Sequence, residues 1–453
     1  MNATNQLPDY VASAKPNPAA NRAPWYKNTA PTYAGIFLWF VFWQDAAKAG
    51  APGGTLAQGL GWALLSLVLA AVVCHTLFYL APGLFGMRTG LPLYIVGTST
   101  FGAAGGFLMP GFLMGVLQFG WLGVNVYFSS LALSAVIPVD AKIIMAVWGV
   151  LAAFIGLKGI QYVAKVATYL PLIPLAVLLW LAAKTIGHIG QFDAPALVAS
   201  QQIAHASQLP PLGKLGVLAA VLTYVVGFFA TAGAAGVDFG TNSRDEKDVR
   251  MGGLVGVALA ILVTAGLSLV IVAGAAGGGN NAVNSLSSFD LIPDILGPSV
   301  AKWVMFLLAI SAFPSACFSS FIAANSFKTT LPKVNPFISV GIGAAVSIVL
   351  AVTGLVAKAI SVFVIIGASF GPICGALLAD YLLNKGQWSG PRAGFNPAGW
   401  LAWALGFTVG ILPNLGVNMP AAPVAAFAAG FVVYFLCAKL GLQSALVPLP
   451  KKG

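Results

Sequence analysis

The sequence predicts an all-α integral membrane protein of twelve transmembrane helices, on three observations. Hydrophobic residues fill 59% of the 453 positions and charged residues only 7%, with a mean hydropathy of +0.91. No soluble globular domain has that balance. Apolar runs close to the roughly 20 residues that cross about 30 Å of hydrocarbon recur from Pro31 to Gly441. Basic residues crowd alternate connections, as they do in multi-span proteins with short loops.

The elements follow in order. Residues 1–30 are polar, contain Pro and Asn, lack the apolar core of a cleavable signal, and are expected to form a cytoplasmic tail. Twelve spans are expected at 31–52, 56–81, 106–135, 141–157, 160–184, 213–237, 251–278, 298–326, 335–353, 358–381, 397–416 and 420–441. Backbone in lipid must satisfy its own polar groups, so each run is read as a helix. Residues 31–184 form a first five-helix set, 185–212 an external connection, 213–381 a second five-helix set inverted on the first, 382–441 hold helices eleven and twelve, and 442–453 a cytoplasmic tail. With both termini inside, only Lys48, Lys142, Lys184, Lys214, Lys302 and Lys358 of the 22 basic residues fall outside. The remaining sixteen lie in cytoplasmic segments, which fixes the orientation and accounts for the net charge of +11. Because these residues are scattered in ones to threes, the charge does not indicate nucleic-acid binding.

The first span begins Gly35-Ile-Phe-Leu-Trp-Phe-Val-Phe-Trp43 and turns polar and Gly/Pro-rich from Gln44 to Gly54. Counting about 1.5 Å per residue from Pro31 keeps Gln44 inside the membrane, and Asp45 is paired with Lys48. The second span carries His75, read as a packed histidine, with a proton relay as the alternative. In the third, Gln118, Trp121 and Asn125 recur at spacings of three and four residues, which stacks two amides and an indole on one helix face. Such a stripe can hydrogen-bond the edge and stack on the ring of a small planar polar ligand. The fifth-to-sixth connection contains His188 and His205. The sixth span, Val225-Val-Gly-Phe-Phe229-Ala-Thr231-Ala-Gly-Ala-Ala-Gly236, reads either as a second broken helix or as close packing through Gly227/Thr231 and Ala232/Gly236. Interruptions at matching places in an inverted repeat point to a transport site, since unwound backbone exposes groups that hold ion and substrate. Asp238 to Arg250 is expected as a solvated cytoplasmic loop, Asp290 and Asp294 in a short external lid helix, and Asp380 at the end of the tenth span.

Cys74, Cys317, Cys374 and Cys437 have no paired spacing, and neither a phosphate loop, an HExxH motif nor a pair of glutamates occurs. An enzyme is therefore not indicated and no cofactor is expected.

On Gln118-Phe-Gly-Trp121-Leu-Gly-Val-Asn125, Val225-Val-Gly-Phe-Phe229-Ala-Thr231-Ala-Gly before Val237-Asp238-Phe239, Gly375-Ala-Leu-Leu-Ala-Asp380-Tyr381-Leu-Leu-Asn384 and Gly86-Met-Arg88-Thr-Gly90-Leu, the chain resembles the cytosine/purine permeases of the nucleobase:cation symporter type. The resemblance implies the leucine-transporter-like five-plus-five inverted repeat with two extra C-terminal helices. It further implies that Trp121 and Phe229 sandwich the substrate ring, that Gln118 first and Asn125 second read its edge, and that Gln44 and Thr231 contribute to the same site. Stacking orients a ring by roughly 0.5–1.5 kcal/mol beyond its buried area, so identity comes from edge hydrogen bonds. Relatives carry an Asn and adjacent hydroxyls on helix 8, where this chain has Pro314 and Ser315 and no Asn before Asn325. A sodium site would rest on Ser315 and Ser311 with helix 1 carbonyls, joined by the helix 8 carbonyl that Pro314 frees one turn before it. Protons are the alternative coupling ion. The expected function is import of a nucleobase with a cation across the cell membrane; an allantoin-, hydantoin- or vitamin-like ring, or a receptor or channel without coupled uptake, are the rivals. The expected partners are a heterocycle, a cation and the lipid bilayer, and no nucleic acid.

Overall fold

The computed structural model describes residues 7–48, 50–159, 162–163 and 169–449. Residues 160–161 and 164–168 of the expected fifth span, with Lys165, and the terminal Lys451 and Lys452 lie outside the described residues. Helices and a few isolated bridges are the only regular structure among the described residues. Among the described residues ten helices are long and apolar enough to cross a membrane: Leu60–Thr89, Phe107–Ser134, Ala141–Lys158, Leu172–Gln191, Lys214–Ala234, Glu246–Gly277, Pro298–Lys328, Ile360–Leu383, Pro397–Leu415 and Ala422–Lys439. The ninth expected span, Pro336–Val352, is a shorter apolar helix, and the first is broken into pieces.

That break lies earlier than Gln44–Gly54. Thr29–Tyr33 is followed by a 3₁₀ segment, Ala34–Trp39, and helix resumes at Phe40–Ala46, so Gln44 and Asp45 are helical. The polar letters after Trp43 mark the helix's outer end; the change of winding begins around Gly35, where a residue without Cβ and a run of bulky aromatics favour a tighter, short-lived 3₁₀ turn. The resumed helix is pinned from outside itself: Ser268 Oγ donates to Phe40 O at 3.0 Å, and Ser288 Oγ, whose proton goes to Asp45 Oδ1 at 2.6 Å, lies 3.2 Å from Val41 O.

The sixth span runs unbroken over Lys214–Ala234, then turns at Ala235 into the short helix Gly236–Gly240. The interruption comes only at Ala235, and within the span the close-packing reading holds at Gly227. A Cβ on Gly227 would sit 2.5 Å from Phe363 O, so this glycine lets the sixth span lie directly on the tenth. The second span extends eight residues past its expected end to Thr89, through a π-turn at Cys74–Tyr79. A second π-turn, Leu254–Leu259, occurs in the seventh span and packs against the first. These two are mutually packed and lie in corresponding members of the two sets, whereas a third π-turn, Phe107–Phe112 in the third span, has no counterpart in the eighth; such turns often accompany functional movement or sites.

Asp238 to Arg250 is the expected solvated surface only in part: Arg244 to Lys247 and Arg250 are exposed, whereas other residues tie the segment to its neighbours. Asp238 Oδ1 accepts from Leu93 N at 2.9 Å, Arg88 pairs with Glu246 at 2.5 Å, and buried Asp248 accepts from Arg244 Nε at 2.6 Å and Trp25 N at 3.1 Å. Asp380 is fully enclosed and accepts from Ser99 at 2.6 Å, Thr100 at 3.1 Å, Tyr434 at 2.9 Å and Asn384 at 2.9 Å. It anchors the tenth span to the twelfth and to the connection between the second and third, a structural role consistent with its saturated hydrogen bonding.

Candidate functional site

Where the first, third, sixth, eighth and tenth spans meet, aromatic side chains close on one another. Trp39 and Phe42, three residues apart around the change from 3₁₀ to α winding, lie parallel with ring centroids 5.0 Å apart. Trp121 stands edge-on to Phe228 at 5.1 Å and tilted against Trp39 at 5.7 Å. Phe363 meets Phe42 at 5.5 Å and Phe228 at 5.6 Å, each nearly perpendicular. Trp121 was expected to face Phe229, but Phe229 points the other way, against Tyr33 at 5.8 Å. A single step along a helix turns a side chain by about 100°, so adjacent phenylalanines cannot both face the same ring.

A cavity of about 30 Å³ adjoins this cluster, lined by Trp39, Val41, Asn125, Phe128, Ser129, Phe289, Ala309 and Ala312 among others. That is room for one or two waters and not for a ring, so the site is closed in this conformation. Of the three stripe residues, Asn125 reaches the cavity wall, Trp121 packs beside it through Trp39, and Gln118 does not line it: its Nε2 lies 3.7 Å from Met114 Sδ, one turn away. Thr231 is buried on the sixth span beyond Phe228.

Unmatched polar atoms gather on the first and third spans. Gln44 is completely buried with neither Oε1 nor Nε2 hydrogen-bonded; Trp43 Nε1 and Asn125 Oδ1 are likewise buried and without a partner. Asn125 Nδ2 is taken by Trp121 O at 2.8 Å, leaving its carbonyl free to accept. Each buried unmet group costs about 1–3 kcal/mol, a penalty that a polar ligand would remove. Next to Gln44, Asp45 Oδ1 accepts from Ser288 and lies 3.9 Å from the fully buried Lys48 Nζ, which is the expected pair held loosely.

On the eighth span, Ser311 Oγ donates to Leu307 O at 2.7 Å, whereas half-buried Ser315 sits one turn on beside Pro314 inside the helix. This helix packs against the 3₁₀ segment of the first span. Among the described residues no group of three or more His, Cys, Asp or Glu side chains forms a metal cluster. His75 Nδ1 is buried and unpaired in the π-turn with its ring stacked on Tyr79, and the four cysteines are free and buried.

Sequence reasoning missed Trp39, Phe42, Phe228 and Phe363. The density of aromatics in Phe37-Leu-Trp39-Phe40-Val-Phe42-Trp43 was the available signal for the first two; only the crossing geometry picks Phe228 over Phe229.

A first span broken into pieces beside a closed aromatic site with unmet polar groups suits a multi-pass membrane permease, and the comparisons with known proteins agree. The model of the family described as "Permease for cytosine/purines, uracil, thiamine, allantoin" matches residues 17–436, and the chain belongs to that family. It is 25% identical over 339 residues to the cytosine permease of Escherichia coli K12, spanning 74% of each chain. The solved structures it resembles include the inward-facing conformation of Mhp1 (TM-score 0.69, 14% identity, 95% of this chain and 93% of that one). Another is Mhp1, a nucleobase-cation-symport-1 family transporter, in a closed conformation with bromovinylhydantoin (TM-score 0.63, 14% identity, 98% and 96%). A Na+-coupled sialic acid symporter shares the fold more distantly (TM-score 0.56, 11% identity, 99% and 94%).

Proposed function

We propose that this permease is a secondary active importer of a nucleobase of the cytosine or purine type, driven by a cation and working by alternating exposure of the aromatic site. One observation carries the reading: the unmet carbonyl oxygen of Asn125 lines one cavity with Trp39, which packs on Trp121 and through it on Phe228, so an acceptor and aromatic faces meet as a flat ring with polar edges requires. Trp121 and Phe228 stack on the ring, with Phe229 supporting through Tyr33, and Asn125 and Gln44 read its edge, with Gln118 and Thr231 completing the surround. A thermal-shift panel of pyrimidines, purines, hydantoin, allantoin and thiamine tests it. Stabilisation by nucleobases alone is the expected result, and stabilisation by hydantoin or allantoin alone overturns the substrate.

Both termini are cytoplasmic and twelve spans cross the cell membrane in this reading, supported by the basic-residue bias. Sodium is the coupling ion, held by carbonyls of the Ala34–Trp39 segment and by Ser315, with Ser311 a further oxygen whose lone pairs stay available while its proton serves Leu307 O. Uptake at fixed pH should rise with sodium, and Ser315→Ala should raise the sodium requirement. Uptake indifferent to sodium and abolished by a protonophore would assign the coupling to protons.

A further inference from the structure

The outer end of the first span belongs to a cover assembled from three distant parts of the chain. The expected lid helix exists, Ser288–Leu296, and its Ser287-Ser-Phe-Asp290 start is a helix-initiating pattern in which Ser287 Oγ accepts from Phe289 N at 3.2 Å. Phe289 lines the cavity beside the aromatic site and stacks on Phe128 at 6.2 Å. The next residue back, Ser288, fastens this helix to the first span: its N–H and Oγ donate to the same oxygen, Asp45 Oδ1, at 2.8 and 2.6 Å. Lys48 Nζ faces that oxygen too and has no hydrogen-bond partner, so it compensates the carboxylate's charge without competing for its geometry. Hydrogen bonds to an ionised acceptor are about twice as strong as neutral ones.

A second fastening lies further out. The helix Ala194–Ala204 presents buried Gln201, whose Oε1 accepts from Gly53 N at 2.8 Å and whose Nε2 donates to Val283 O at 3.1 Å. Gly53 follows the first span in a left-handed turn (φ +78°), and Val283 precedes the lid, so one amide clips the two together. Ser200 to Asn284 at 2.8 Å and His205 to Asn284 O at 2.6 Å reinforce the joint.

We infer that Asp45 and Ser288 are the latch that holds the outer cover shut over the aromatic site, with Gln201 as its second fastening. The ligand-reading Gln44 is Asp45's neighbour in the same short helix, so releasing the latch frees the segment that carries a substrate contact as well as the lid that roofs the cavity. The inference rests on the proposed substrate site and orientation.

The test uses the full-length protein with its four buried cysteines replaced and Ala312→Cys as a reporter in the cavity wall. A membrane-impermeant thiol reagent is applied to intact cells and, separately, to inside-out vesicles. Ser288→Ala should raise labelling from outside about tenfold, the effect of losing a charge-assisted hydrogen bond that exists only in the closed state. Ser288→Thr, which keeps the hydroxyl, should restore the parent rate. Ser66→Ala, whose hydroxyl bonds only Trp62 O in its own helix, should leave the rate unchanged. Parent-rate labelling of a folded Ser288→Ala protein overturns the latch. If that protein does not fold, Gln201→Ala, on a helix outside the spans, decides by the same readout: faster external labelling supports the cover, the parent rate overturns it. Failure of the substrate reading shows separately, as a ligand panel without effect while labelling still responds to the latch variants.

Discussion

Asn125 donates into its own helix and keeps an unpaired carbonyl oxygen at the cavity wall. That division of one amide leaves an acceptor for a ring N–H or exocyclic amine, and under the proposed function it favours Asn125 over Gln118, two turns away, as the edge reader. Asn125→Ala should weaken binding of the stabilising heterocycle roughly tenfold or more, since a buried ligand donor left unmet costs about 1–3 kcal/mol. Melting of the ligand-free protein should fall little, because no other residue depends on that oxygen. The aromatic assignment is separable by the same titration: Trp121→Ala and Phe228→Ala should each lose at least about tenfold, beyond what stacking geometry alone supplies, while Phe229→Leu should retain most binding. Equal losses at Phe228 and Phe229 would return the stack to Phe229.

The sixth span shows what an element can do that its residues individually do not suggest. Gly227 allows its backbone onto Phe363, a partner of Trp121 and Phe228, so helix contact and site geometry are one feature. Gly227→Leu has no room and should abolish uptake with a marked loss of thermal stability; the milder Gly227→Ala, whose Cβ would still lie 2.5 Å from Phe363 O, should reduce both. Beyond the turn at Ala235, the short helix Gly236–Gly240 holds Asp238 against Leu93 N, and burial pushes this carboxyl up from 3.8 to about 6. A carboxyl raised in the folded state holds its proton more tightly there than in the unfolded chain. Its contribution to stability therefore grows as pH falls from about 6 towards 4 and is lost as pH rises through that window. Asp238→Asn, which keeps the acceptor for Leu93 N–H, should flatten this part of the melting-temperature profile between pH 4 and 7.

Across the whole molecule, two kinds of force set the arrangement. Lipid immersion demands helices, and the charge bias sets their direction. Intact-cell labelling should accordingly modify a cysteine placed at Gly190 and leave one at Leu449 untouched; external reaction at Leu449→Cys would overturn the orientation and with it the even count of spans. The helical class, most apolar helices, the helix Ser288–Leu296 and the Asp45–Lys48 pair were legible in the sequence, because hydropathy and helical period are local properties that one stretch of chain carries by itself. The sequence alone also carried the family, through motifs kept in order over most of the chain. Tertiary structure decided the rest: the early 3₁₀ break at Ala34–Trp39, the choice of Phe228 over Phe229, the folding of Asp238 to Asp248 into inter-element ties, and the fastening of Asp45 to Ser288. Each depends on which residues from distant stretches come to face one another, and that is set by helix rotation and crossing, where a shift of one residue turns a side chain by about 100° without altering the local pattern at all.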